Sequence, residues 1–300
     1  MKKFTLLAAL ALAGATPCFA QDLVKNLFTD AAGRSVDWGN TLTIDAAQFA
    51  EGVEVGNFIQ LDLAWAKEAV ELKSDGTWLP GTILTNYGEG QDNVTYKVYL
   101  TTAGLDALKA TGLEICGGGM TVKSVDVMSD GFVMPEGAIW GGYFWIENWN
   151  TLELFKPALA AYDSQKYMTL NFAPDKADYT NYVVNVLTQW DTPEFTWATG
   201  DQVTKFPLSA QFELKASDVN TFLEGDKSAL MVQLNPEGQA PFNMTSIVLS
   251  NDLLTSQAAI EAVQAVPTDY YTVDGVKVRE AAHGLYLVRY SDGSVRKVIR

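Results

Sequence analysis

Apolar and polar positions alternate along most of this chain with a period of two. Ile59, Leu61, Leu63 and Trp65 fall on one side of a run whose other side is Gln60, Asp62 and Ala64, and Val94, Tyr96, Val98 and Leu100 repeat the pattern. Such spacing places one row of side chains in a core and the other toward water, so each run predicts a half-buried strand. Further on, Met168, Leu170 and Phe172 alternate with Tyr167, Thr169 and Asn171; Tyr182, Val184 and Val186 alternate with Val183, Asn185 and Leu187; Leu208, Ala210, Phe212 and Leu214 share one side. Ser74-Asp75-Gly76, Leu79-Pro80-Gly81, Tyr87-Gly88-Glu89-Gly90 and Gly117-Gly118-Gly119 read as turns or loops between strands. Two short helices interrupt the strands, one from Thr102 as N-cap to Thr111 with Gly112 as its stop, the other capped by Ser217 and stopped by Gly225. Many short strands and few helices predict an all-β fold, with β-sandwiches of jelly-roll type.

The pattern occurs twice. DWGNTLTIDAAQFA, from Asp37 to Ala50, is echoed by ENWNTLELFKPALA from Glu147, with Asn40-Thr41-Leu42 matching Asn150-Thr151-Leu152 beside Trp38 and Trp149. Downstream of each copy the order also matches: a capped short helix, a glycine, an apolar strand, a loop and a closing strand. Two diverged copies of one unit follow from this. The expected organisation is a signal peptide at 1–20, sandwich repeats at 21–131 and 132–252, a linker at 253–267 and a small β module at 268–300.

The N-terminal stretch carries Lys2 and Lys3, an apolar run from Phe4 to Ala15 and small residues before Gln21, the pattern of a secretory signal peptide cut before Gln21. The sequence holds two cysteines, Cys18 and Cys116, so removal of the signal leaves Cys116 without an intramolecular partner. Nothing in the mature chain approaches the roughly 18 apolar residues of a membrane span. The formal charge of −15, from 36 acidic and 21 basic residues, argues against binding a phosphate backbone, which needs clustered Lys and Arg, so no nucleic-acid partner is expected. The tail from Tyr270 to Arg300 differs, holding Lys277, Arg279, Arg289, Arg296, Lys297, Arg300 and the single histidine, His283. Val273-Asp274-Gly275 and Ser291-Asp292-Gly293 are hairpin signals flanking a strand from Leu285 to Tyr290.

In that tail YTVDGVKV, HGLYLVRY and GSVRKVIR resemble the C-terminal sorting module of type IX secretion cargo, with Gly275, Val278, Gly284, Leu285, Tyr286 and Lys297 at the expected places, although the tail is shorter than a full sorting domain. The resemblance implies export by that secretion machinery to the outside or the cell surface of a Gram-negative bacterium, with the periplasm as the alternative. The repeated units resemble galactose-binding-like, carbohydrate-binding β-sandwich modules through DWGNTLTIDAAQF, the Trp78-Leu79-Pro80-Gly81 turn and TTAGLDALKATGLEICGGGMTVKSVDV. That resemblance covers residues 27–128, and 139–250 more loosely, and implies a polysaccharide or oligosaccharide partner.

Catalytic chemistry is poorly supplied. A lone histidine in the tail provides no Ser-His-Asp or Cys-His set for the sandwiches, Cys116 reads as a packed thiol, and no compact alternation of carboxylates as in jelly-roll glycosidases occurs. The chain is therefore read as a non-enzyme needing no cofactor. A structural calcium on Asp30, Asp37 or Asp130 is weighed against solvated aspartates. Aromatics are the informative group, since an indole or phenol ring stacks on the C–H face of a sugar while polar neighbours bind its hydroxyls. Trp78, with Tyr87 in the following loop, and Trp190 and Trp197 in QWDTPEFTWATGDQ are the first candidates for ligand contact, with loop anchoring as the alternative. Trp38 and Trp149 face either a ligand or the core, Trp65 reads as core, and Trp140 and Trp145 as packing. The functional expectation is a glycan-binding protein; a structural or adhesive surface protein, or a small polysaccharide hydrolase or lyase, are the alternatives.

Overall fold

The computed structural model describes residues 21–299 except 147–150, 174–180, 189–195, 204–207, 236–241, 254–266, 273–275, 279–284 and 291–294. The chain divides into two compact units, residues 1–252 and residues 253–300.

In the first unit the opening eight strands are β1 (Asp22–Val36), β2 (Leu42–Ile44), β3 (Phe58–Ala66), β4 (Val70–Ser74), β5 (Thr77–Trp78), β6 (Gln91–Tyr99), β7 (Leu113–Gly117) and β8 (Met120–Ser129). They form two antiparallel sheets, β1-β8-β3-β6 and β2-β7-β4-β5. The next eight are β9 (Ala138–Ile146), β10 (Thr151–Phe155), β11 (Tyr167–Ala173), β12 (Asn181–Thr188), β13 (Thr196–Val203), β14 (Leu208–Glu213), β15 (Ala229–Asn235) and β16 (Phe242–Ser250). Their sheets, β14-β11-β16-β9 and β10-β15-β12-β13, repeat the same order. Within each eight, the first strand pairs with the eighth, the second with the seventh, the third with the sixth and the fourth with the fifth. That is a long antiparallel hairpin rolled into two layers, the jelly-roll arrangement. The fold is all-β, as the period-two pattern implies.

The sequence echo has a structural counterpart. Leu42 in β2 and Leu152 in β10 are both buried, and both lie opposite the seventh strand of their set, Leu42 across from Ile115 and Leu152 across from Val232. A 3₁₀ turn follows each, Ala46–Phe49 and Lys156–Ala161, and a helix precedes each seventh strand, α1 (Thr102–Thr111) and α2 (Ala216–Glu224). The caps differ from the sequence expectation. Thr101, one residue before the predicted cap, accepts a hydrogen bond from the Gly104 N–H at 3.1 Å. In α2 the cap position is Lys215, with no side-chain bond, and Ser217 lies inside the helix, bonded to Asp218.

Each eight-strand set encloses its own apolar cluster. One contains Phe49, Leu61, Leu72, Leu108 and Ile115; the other contains Trp140, Leu154, Leu170, Phe222 and Ile247. Trp65 is a correction to the simple alternation. Register irregularities at Asp62/Leu63 and Leu63/Trp65 rotate the strand, so that Ala66 rather than Trp65 enters the core. The half-buried Trp65 indole instead lies against Gly90 and Gly119, where a Cβ at Gly90 would collide with the ring.

Edge strands of the two sandwiches meet. β6 lies beside β9, and the segment after β5 runs along β10 through an Ile83–Leu154 bridge and a bond from the Leu84 N–H to the Glu153 carbonyl at 3.0 Å. Aromatic rings fill the seam: Tyr99 packs against Phe132 and Tyr143 with centroids 5.0 and 6.1 Å apart, and the Tyr99 hydroxyl donates to the buried Asp130 carboxylate. The segment after β5 thus covers the β10 edge, which would otherwise present unpaired backbone groups.

The second unit contains β17 (Pro267–Thr272), β18 (Lys277–Val278), β19 (Leu285–Tyr290) and β20 (Val295–Ile299) in one antiparallel sheet, ordered β18-β17-β19-β20. β19 has the bounds read from the sequence. The Lys277 ammonium meets the Asp269 carboxylate at 2.6 Å. Among the described residues, no helix is long and apolar enough to cross a membrane.

Candidate ligand-binding face

Alternation within the short strands of sheet β2-β7-β4-β5 determines what its outer surface carries. Leu42 and Ile44, Leu113 and Ile115, Val70 and Leu72 point inward to the core, so Thr43, Glu114, Cys116, Glu71 and Lys73 point outward. Register then aligns one residue from each strand: Thr43 lies opposite Glu114, Glu114 opposite Lys73, and Lys73 opposite Trp78. A hydroxyl, a carboxylate, an ammonium and an indole therefore cross the sheet in a single row, perpendicular to the strands.

Two tryptophans flank the cation in this row. The Lys73 ammonium lies 5.4 Å from the Trp78 ring centroid and 5.8 Å from that of Trp38, within cation–π range. Glu71 holds the same ammonium at 2.6 Å. Burial alone would lower the Lys73 pKa, but the hydrogen bond and charge of Glu71, with Cys116 nearby, outweigh it and the value is raised. Lys73 is thus a fixed, fully charged and already compensated cation.

Trp38 is the open member of the pair, with 52% of its surface exposed. Its backbone is nonetheless fixed, because Asp37 accepts from the N–H groups of Gly39 and Asn40, both at 2.8 Å, and Asn40 donates to the Ser35 carbonyl at 2.9 Å. Arg34 closes the turn by donating to the Thr41 carbonyl at 3.0 Å. A large apolar side chain on a rigid turn, left in water, is a feature that burial would ordinarily remove.

Trp78 is placed differently from the sequence expectation of a free platform. Its ring is stacked on Phe155 of the second sandwich at 3.6 Å and 10°, so that face is occupied by protein. It anchors the seam. Tyr87 is half-buried against the first core, and burial pushes its phenol pKa up to about 12, which suits a packed ring better than a platform. Trp149 and Trp190 lie outside the described residues, as does His283, and of Trp197 only the backbone, within β13, is described. Trp140 is buried in the second core, while Trp145 is 38% exposed.

The three aspartates considered for calcium serve separate turns. Asp30 accepts from the Ala32 N–H, Asp37 from Gly39 and Asn40, and Asp130 from Tyr99 and the Phe132 N–H. Among the described residues no group of three or more His, Cys, Asp or Glu side chains is arranged to hold a metal ion. The Cys116 thiol is buried, its pKa raised by that burial against the pull of Lys73, and its sulfur lies 3.8 Å from Glu71.

Beside the row lies a groove of about 630 Å³ lined by Thr43, Asp45, Asp75, Thr111 and Glu114 among others. Thr43 and Glu114 belong to both surfaces, so groove and row are continuous. Asp75 and Gly76 reach it from the β4–β5 hairpin, where φ values of 51° and 70° make the Asp-Gly pair a tight turn of the kind that favours these residues.

Period-two alternation in LTI, VELKS and LEICG was visible in the sequence and could have singled out Thr43, Lys73 and Glu114. Their alignment required the register. Eight solved chains match this one. Among them, a glycoside hydrolase 29 family member from an unknown rumen bacterium is 11% identical with a TM-score of 0.24, covering 75% of this chain and 41% of its own. This chain therefore spans under half of that protein's length, and a likeness of this size carries no argument for fold or ligand. No family model matches the chain, and no curated protein matches it.

Proposed function

We propose that this chain is a secreted, non-catalytic glycan-binding protein whose sugar rests against Trp38 on the outer face of sheet β2-β7-β4-β5. The observation that carries this reading is the exposed Trp38 indole on a hydrogen-bonded turn beside a row of polar side chains. A sugar's C–H face would cover the indole, and Thr43 and Glu114 would bind its hydroxyls. The first twenty residues act as an export signal and the basic β module at 268–300 as a type IX-like sorting tail, so the protein reaches the cell surface or the medium.

A second reading, a structural or adhesive surface protein, is favoured by one observation: the aromatic seam joins the two sandwiches within one compact unit, as a rigid spacer would require. Binding of the full chain to a panel of plant, fungal and host glycans, with Trp38→Ala in parallel, separates the two. Loss of a measurable interaction in the still-folded variant supports the glycan reading; failure of the unaltered chain to bind any glycan shifts the weight to the spacer. Export is tested by removing residues 268–300 and following the protein into the periplasm or the medium.

A further inference from the structure

The hydrogen-bonded turn fixes the backbone of Trp38 but not its ring. Asp37 and Asn40 bind the main chain of the turn, and the indole keeps its own side-chain torsions. Among the described residues, its one cation or ring partner is the Lys73 ammonium, 5.8 Å from the ring centroid. Lys73 therefore sets the direction in which the open ring faces. The ammonium is held in turn by two other partners, the Glu71 carboxylate at 2.6 Å and the Trp78 ring, whose centroid is 5.4 Å away and which stands opposite Lys73 in the register. Trp78 is stacked at 3.6 Å and 10° on Phe155, a buried residue of β10. Phe155, Trp78, Lys73 and Trp38 thus form a ladder from an edge strand of the second sandwich to the exposed indole of the first.

Building on the glycan reading, we infer that Phe155 and Lys73 are positioning residues for Trp38, so that the second sandwich completes the face on which the first binds sugar. With Phe155 in place, Trp78 is held on one face, the ammonium keeps its seat between Trp78 and Trp38, and the sugar meets an indole that is already oriented. Without the stack, Trp78 gains room on the freed side and Lys73 retains Glu71 alone as a firm partner. Binding must then order the indole as well as the sugar. Ordering one such side chain weakens affinity roughly two-fold to ten-fold. Phe155 is buried at the join, so its effect on the sugar is indirect.

The test reads the ring and the affinity separately. The full chain is labelled with 5-fluorotryptophan, and the fluorine resonance of Trp38 is the one missing from Trp38→Ala. It is followed in Phe155→Leu, which keeps an apolar side chain but no stack, and in Phe155→Tyr, which keeps the stack. It is also followed in Lys73→Arg, which keeps the cation, and in Lys73→Met combined with Glu71→Gln, which leaves no carboxylate buried and unpaired. Calorimetric titrations with cellohexaose, xylohexaose and mannohexaose run alongside. The Trp38 resonance should move toward that of the free amino acid in Phe155→Leu and in the Lys73→Met double variant, and stay in place in the other two. A hexaose that binds the unaltered chain should lose roughly two-fold to ten-fold in affinity in the same two variants. A resonance unmoved in Phe155→Leu, or an affinity unchanged where the resonance moves, overturns the inference and leaves the glycan reading standing. A moved resonance with no hexaose bound supports the ladder and counts against the glycan reading.

Discussion

The two sandwiches share a strand order but not a surface. In the first, the sheet containing the second, seventh, fourth and fifth strands buries its outward Glu71 and Cys116 but leaves Thr43 exposed and Glu114 and Lys73 half-buried, with the exposed Trp38 on the adjoining turn. In the second, the equivalent sheet buries outward residues: Ala229, Met231 and Gln233 are all at most 3% exposed, although Leu230 and Val232 are the ones that fill the core. Topology therefore does not decide which outer face stays open. What differs is which outer surface is covered, and at the join the covering is mutual, Phe155 of one copy closing over Trp78 of the other. The comparison teaches that one copy can leave one tryptophan, Trp38, open to solvent while another, Trp78, is taken into the join with the second copy.

The seam offers the largest effect. Phe155 is 6% exposed, and Phe155→Ala should cost about 3 kcal/mol, as large-to-small changes at buried aromatics do. Calorimetry of this variant should show the two sandwiches unfolding in separate steps; a single transition at an unchanged temperature would mean that the stack does not join them.

Gly117 comes next. A Cβ there would run into the Ala69 carbonyl oxygen, so Gly117→Ala should destabilise the first sandwich by about 2 kcal/mol, read from the denaturation midpoint. The helix caps sharpen the contrast further. Thr101→Ala removes a buried cap and should cost about 1 kcal/mol, whereas Lys215→Ala at the matching position of α2 should change stability by under about 0.5 kcal/mol. Equal losses would show that the two helices are held in the same way after all.

The smallest effect concerns titration. Burial pushes the Tyr87 and Tyr143 phenols up to about 12 from an ordinary value near 10. A folded pKa above the unfolded one means that the contribution to stability is complete below about pH 10 and is lost as the pH rises toward 12. Phenolate absorbance should accordingly lag in the native chain, and Phe132→Ala, which opens the packing around Tyr143, should bring part of that signal to lower pH.

Strand positions were legible because alternation is a local property: the runs at Ile59, Val94, Met168 and Leu208 all became strands. The echo was legible too, since Leu42 and Leu152 fill equivalent core positions. The role of each tryptophan was not. Trp65 left the core because of a register irregularity that no residue type announces. Trp78 and Trp38 both stand beside turns, and only the arrival of Phe155 from the second copy distinguishes the closed ring from the open one. Exposure is a property of the assembled chain, and a window of sequence does not contain it.

The most direct test is a titration of the full chain and of Trp38→Ala with the strongest glycan found, alongside their thermal unfolding. The account predicts at least a roughly tenfold loss of affinity with stability changed by less than about 0.5 kcal/mol, because the ring is exposed and acts as a contact rather than as packing. Undiminished binding in the variant would contradict it, as would a loss that merely follows unfolding.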